Sequence, residues 1–130
     1  MNQVHAIAAP LGRILLALIF VTSGFSKISG YAATQGYMEA MGVPGALLPV
    51  VIAVELLGGL AVMLGWQTRI AAFLLAGFSL LSGVLFHADF GDQMQMIMFM
   101  KNVSIAGGFL MLVSLGGGAF ALDNRSASRQ

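Results

Sequence analysis

Apolar residues fall into four long blocks, 11–28, 46–65, 70–86 and 97–115, with polar and turn-forming residues between them. A helix needs about 20 apolar residues to cross a hydrocarbon layer roughly 30 Å thick, and each block is near that length. None carries the polar stripe that a water-soluble bundle helix turns to solvent. The pattern predicts an all-α protein, an integral membrane four-helix bundle in which residues 1–130 form a single domain. Between the first two blocks, residues 31–41 fit a short amphipathic helix at the membrane surface. Gly42, Val43, Pro44 and Gly45 then supply turn chemistry.

Composition narrows the function classes. Hydrophobic residues make up 58% of the chain and charged residues 8%, with mean hydropathy +0.92. A net charge of +1 leaves no basic face for nucleic acid, and no glycine loop of the phosphate-cradling kind is present. The chain has no cysteine, which excludes thiolate chemistry and iron–sulfur ligation by its own residues. No metal or flavin motif is evident, so redox chemistry would have to come from a bound molecule or a partner redox subunit. Met94, Met96, Met98 and Met100 beside His87 carry the soft ligands that Cu(I) prefers. On a helix, however, alternate residues scatter around the axis, and methionine is a common flexible packer.

Orientation follows the Lys/Arg bias of short loops. With the N-terminus inside, Arg13, Arg69, Arg125 and Arg129 flank the cytoplasmic side and Lys27 and Lys101 the other. Both termini are therefore expected in the cytoplasm. Tyr31, Tyr37 and Trp66 suit interfacial anchoring, and Arg13 reads as an anchor at the inner interface. No Lys or Arg precedes Arg13 and no clean small-x-small site follows, so the first block reads as a retained span rather than a cleaved signal. A weak internal repeat fits two similar hairpins. Gly12-Arg13-Ile14 parallels Thr68-Arg69-Ile70, and the run from Val54 to Gly59 parallels that from Val103 to Gly108.

Glu55 is the one charge inside its block. Nine residues at 1.5 Å each place it roughly 13 Å deep, where an unpaired carboxylate costs about 3 kcal/mol or more. Lys27 ends the first block on the same side, His87 ends the third, and Lys101 with Asn102 opens the fourth. Small residues share these faces: Ser23 lies one turn before Lys27, Gly58 and Gly59 one turn after Glu55, Gly83 one turn before His87 and Ser79 one turn before Gly83. On the fourth block Ser104 and Gly108 follow Lys101. Small residues mark close helix contacts in membranes, so the polar groups are expected to converge inside the bundle. Glu55 and His87 are the candidate catalytic residues, and Lys27, Lys101, Asn102, Ser23 and Ser104 the candidate ligand-binding ones. The plain alternative is a structural ion pair between Glu55 and one lysine, with His87 bonded to a backbone carbonyl.

The segment from Arg13 to Lys27, the Val54–Gly65 run, Thr68-Arg69, Phe86-His87 and the stretch from Lys101-Asn102 to Gly107-Gly108 together resemble the DoxX family of small four-helix membrane proteins. The resemblance covers nearly the whole chain. It implies a bacterial inner-membrane protein and, through the family's association with quinol-linked thiosulfate oxidation, an oxidoreductase connection that transfers less securely than the fold.

Three functions stay open on these residues. The first is a quinone-reactive membrane subunit, with Lys27, Lys101 or His87 donating to a carbonyl oxygen and Glu55 exchanging a proton. A histidine suits such a relay because its charge changes near neutral pH. The second is a non-catalytic ligand-binding or assembly protein. The third, a small-solute permease, lacks helix breaks at matching positions of the two halves. Lipid is the expected environment, and a homo-oligomer is open.

Overall fold

The computed structural model describes residues 3–87, 89–118 and 121–123. Among the described residues five α-helices run in order: α1 Gln3–Ser29, α2 Tyr31–Ala40, α3 Leu48–Leu64, α4 Thr68–Phe86 and α5 Gln93–Leu115, with a 3-10 turn at Gly45–Leu47 before α3. Four stretches are long and apolar enough to span a membrane: Ala6–Ser29, Gly45–Leu64, Thr68–Phe86 and Gln93–Leu115. The all-α, four-span architecture read from the hydrophobic blocks is the one observed. The short helix α2 lies where the 31–41 pattern placed it.

Local chemistry sets the helix ends. Pro49 sits in the first turn of α3, where a missing amide proton is harmless. That helix stops at Gly65, whose φ of 73° is left-handed, while the Gly65 and Trp66 amides close back on Val62 O (3.1 Å) and Ala61 O (2.8 Å). A glycine is needed there because a side chain at positive φ is strained. Asp92 caps α5 by accepting from the Met94 amide at 2.9 Å, so this helix begins at Gln93 rather than at 97. The methionine run is thereby helical, with Met94, Met96 and Met100 exposed.

Packing joins α1 to α3 and α4 to α5, and the two pairs meet mainly through α3 and α4. These are the two hairpins the repeat suggested. α1 and α5 touch little. Toward the Arg13 end the bundle is tightly filled by small residues (Ala17, Ala61, Ala72 and Ala106) around Val62, Leu75 and Phe109. Phe20 stands edge-on to Phe109 with centroids 5.4 Å apart and to Phe78 at 6.3 Å. Beyond Phe20, toward the Lys27 end, the hairpins part.

Arg13 corrects the sequence reading. It does not anchor an interface but is 2% exposed, and its Nη1 donates to Met63 O at 2.8 Å and Val62 O at 3.3 Å. It thus neutralises the carbonyl-rich end of α3, where a cation is favoured. Nearby, Asp123 accepts from the Gln67 amide at 2.6 Å and the Thr68 amide at 2.9 Å, and its own amide donates to Gly65 O at 2.9 Å. This clamps the chain after α5 onto the α3–α4 turn and starts α4 at Thr68. Arg125 and Arg129 lie outside the described residues.

Candidate functional site

The parted hairpins enclose a cavity of about 490 Å³ lined by residues from all five helices. Its walls are largely aliphatic and aromatic, with Phe20 and Phe78 toward the core and Val50, Val54, Leu81 and Leu85 on the sides. The amphipathic helix α2 covers the open end. Tyr37 stacks on Phe86 with centroids 5.5 Å apart, Met38 is buried, and Gln35 Nε2 donates to Gly45 O at 3.2 Å. Tyr37 therefore helps close a cavity rather than merely sitting at an interface.

Close approach of α1 and α3 forms the polar wall. Gly24 and Gly59 admit this contact: a Cβ on Gly59 would stand 2.9 Å from Val21 Cγ2, and one on Gly24 would stand 2.6 Å from Leu56 Cγ. One turn beyond Gly24, Lys27 folds inward. Its Nζ lies 2.7 Å from Glu55 Oε1 and donates to Ser23 Oγ at 2.6 Å. Glu55 is 3% exposed, so its charge is answered by a lysine from the neighbouring helix. All three residues line the cavity.

A second polar group belongs to the α4–α5 hairpin. Asn102 Nδ2 donates to Ser79 O at 3.0 Å and to Ser82 Oγ at 3.1 Å. Ser79, Ser82 and Asn102 all line the cavity. Ser79 is 2% exposed, and its hydroxyl has no hydrogen-bond partner among the described residues. In the sequence Ser79 reads only as a small packing residue. The available signal was a serine near the middle of a span, on the face that also carries Gly83.

His87 lies at the mouth, half-buried and lining the cavity. Its Nδ1 is 2.9 Å from Gln95 Oε1, and its backbone amide donates to Gly83 O. Among the described residues, neither Glu55 nor a backbone carbonyl is its ring partner. Lys101 lines the rim but is exposed, and no ion pair to it occurs among the described residues. Ser104 is exposed and does not line the cavity. On α5 the inward residues are Asn102, Ala106 and Phe109, and at 100° per residue Ser104 falls roughly 170° from the middle of that face. Of the seven candidates, Ser23, Lys27, Glu55, His87 and Asn102 line one cavity, Lys101 stands at its edge and Ser104 is excluded.

Outside the spans, Asp123 is perturbed. Burial pushes its carboxyl up, but hydrogen bonding from Thr68 and the Gln67 amide, with the Arg13 charge, outweighs this and holds it below the usual carboxylate range. That cluster lies at the opposite end of the bundle from the cavity.

Comparison with known proteins gives concordant matches. The DoxX family model matches residues 8–88. The chain is 49% identical over 123 residues, 95% of each chain, to "Inner membrane protein YqjF" of Escherichia coli K12. It is 40% identical over 122 residues, 88% of this chain and 87% of the other, to "Inner membrane protein YphA" of the same organism. A Bacillus subtilis protein, "Putative oxidoreductase CatD", is 36% identical over 76 residues, 58% of this chain and 57% of its own. No solved structure matches the chain.

Proposed function

Because the chain belongs to the DoxX family and is a multi-pass inner-membrane protein, we propose that its cavity binds a quinone-like ligand and that it serves as the membrane subunit of a quinol-linked oxidoreductase system. The observation that carries this reading is a cavity of about 490 Å³ with apolar walls and one buried, charge-paired carboxylate, Glu55 with Lys27 at 2.7 Å. Ligand sites of this kind combine an apolar body with few, well-placed polar groups. The distant likeness to a protein named as an oxidoreductase points the same way.

A quinone supplies paired electron and proton exchange; the residues of this chain would hold the ring and handle the proton. Phe20, Phe78 and the valines of α3 take the ring and the start of the tail. Lys27, already held by Ser23, donates to an oxygen. Glu55 accepts or returns a proton beside it, and His87 at the mouth passes that proton to the outer side. With no cysteine in the chain, electrons leave through a partner subunit. We assign both termini to the cytoplasm on the Lys/Arg bias of the sequence, Arg13, Arg69, Arg125 and Arg129 against Lys27 and Lys101, and on that orientation the cavity lies in the outer half of the membrane.

One observation favours a second reading. Glu55 is matched by a single lysine and His87 by Gln95, the partnering expected of a structural ion-pair bundle that acts as an assembly or ligand-binding protein without turnover. Against it stands the cavity itself, since a purely structural pair calls for a filled interior. Mass spectrometry of native ligands in gently purified protein separates the two. A quinone retained by wild type and depleted in Glu55→Gln supports the first reading, and no quinone in either supports the second.

A further inference from the structure

We infer that Ser79 is the second polar contact of the cavity, and hence that the ligand is a ring bearing oxygens at two opposite positions rather than a single polar head. The inference rests on the quinone-like reading above and specifies how such a ring is held.

Thr68 and Ser79 are the buried hydroxyls of the spans without a hydrogen-bond partner among the described residues, and of the two Ser79 lines the cavity. Thr22 returns its hydroxyl to Leu18 O at 3.0 Å, Ser29 to Phe25 O at 3.3 Å, and Thr34, on α2, to Gly30 O at 2.9 Å. Each satisfies itself on the carbonyl one turn back, the ordinary fate of such residues in helices. Ser79 does not, although it is 2% exposed and its hydroxyl has no partner among the described residues. A buried hydroxyl left without a partner is costly, and such exceptions call for an explanation. Here the residue lines the cavity, and its position is secured, because Asn102 bonds both the Ser79 carbonyl and the Ser82 hydroxyl.

The two polar groups belong to different hairpins. Ser23, Lys27 and Glu55 come from α1 and α3; Ser79, Ser82 and Asn102 come from α4 and α5. Aromatic and aliphatic side chains make up most of the wall between them. A ring with one polar end would satisfy one hairpin and leave the other bare. A 1,4-dioxygenated ring meets both. A serine hydroxyl donates to a carbonyl and accepts from a phenol, so it can follow the ring between its quinone and quinol forms, while Lys27 donates and Glu55 accepts at the other end.

The test compares durohydroquinone with 2,3,5,6-tetramethylphenol, which keeps the ring and methyl groups but lacks one hydroxyl. Binding of both to wild type and to Ser79→Ala is measured in nanodiscs, with empty nanodiscs correcting for partition into lipid. Wild type should favour the diol about fivefold, the worth of one net hydrogen bond. In Ser79→Ala that preference should vanish while phenol binding is kept. Thermal unfolding should show the variant at least as stable as wild type, because no protein group loses a partner. A preference that persists in Ser79→Ala overturns the role of Ser79 and leaves the quinone-like reading standing. No binding of either compound by wild type beyond lipid partition overturns both.

Discussion

Lys27 on α1 and Glu55 on α3 stand 2.7 Å apart with unequal exits to water: the lysine side chain is 25% exposed and the glutamate 5%. A lysine released from the pair can extend to the interface, whereas Glu55 stays where it is. The two truncations should therefore differ. Lys27→Met leaves a buried carboxylate without its cation and should lower stability by about 3 kcal/mol. Glu55→Gln should lose about 1 kcal/mol, and the double variant should recover most of the Lys27→Met loss. Denaturant unfolding in detergent measures all three, and equal losses from the two single variants would show that the pair has no such asymmetry.

The clamp at the other end has its own pH dependence. The native Asp123 carboxyl lies below the usual range, so its contribution is complete above the unfolded value, about 4, and is lost as pH falls through the lower native value. Hydrogen exchange at the Gln67 and Thr68 amides, corrected for intrinsic rates, should show protection that is constant near neutrality and fades in acid. In Asp123→Ala that protection should be weak at every pH, with about 1 kcal/mol lost from the start of α4. Protection at these two amides that is the same in wild type and variant would mean that Asp123 does not cap α4.

The spans and the Glu55–Lys27 pair were legible in the sequence because both follow from strong, local physics. Twenty apolar residues have one economical fate in a bilayer, and a carboxylate inside such a run must find a cation. Arg13 was not legible. A basic residue near a helix end looks the same whether it reaches for headgroups or folds onto a neighbour's carbonyls, and the choice depends on where α3 ends, at Gly65. Ser104 misled for a related reason. As a small residue sharing the Lys101 face with Gly108 it was expected to point inward, but the rotation of α5 is set by Asn102, Ala106 and Phe109. The partnerless state of Ser79 is a property of packing between hairpins and leaves no mark in the sequence beyond a polar residue in an apolar span.

Close approach of α1 and α3 sets the geometry of the pair. Gly24→Val should force the helices apart at Leu56, lowering stability by about 2 kcal/mol and weakening the coupling between Lys27 and Glu55 in a double-mutant cycle. A Gly24→Val protein with wild-type unfolding and unchanged coupling would show that the α1–α3 contact is looser than the structure has it.

Orientation can be read independently of chemistry. A reporter active only in the cytoplasm, fused at the C-terminus, should be active, and a periplasmic reporter at the same place silent. The reverse result would move the cavity to the inner half of the membrane and remove the outward proton path through His87.

Recognition of a quinone by the cavity through Glu55 is the decisive property. Binding of a short-chain 1,4-benzoquinone to wild type, Glu55→Gln and His87→Ala in nanodiscs tests this most directly. Wild type should bind above lipid partition, Glu55→Gln about tenfold more weakly, the loss of a charge-assisted contact, and His87→Ala with near-normal affinity but slowed proton exchange. Weak binding that is indistinguishable among the three proteins would contradict the account and leave a structural ion pair in a membrane bundle.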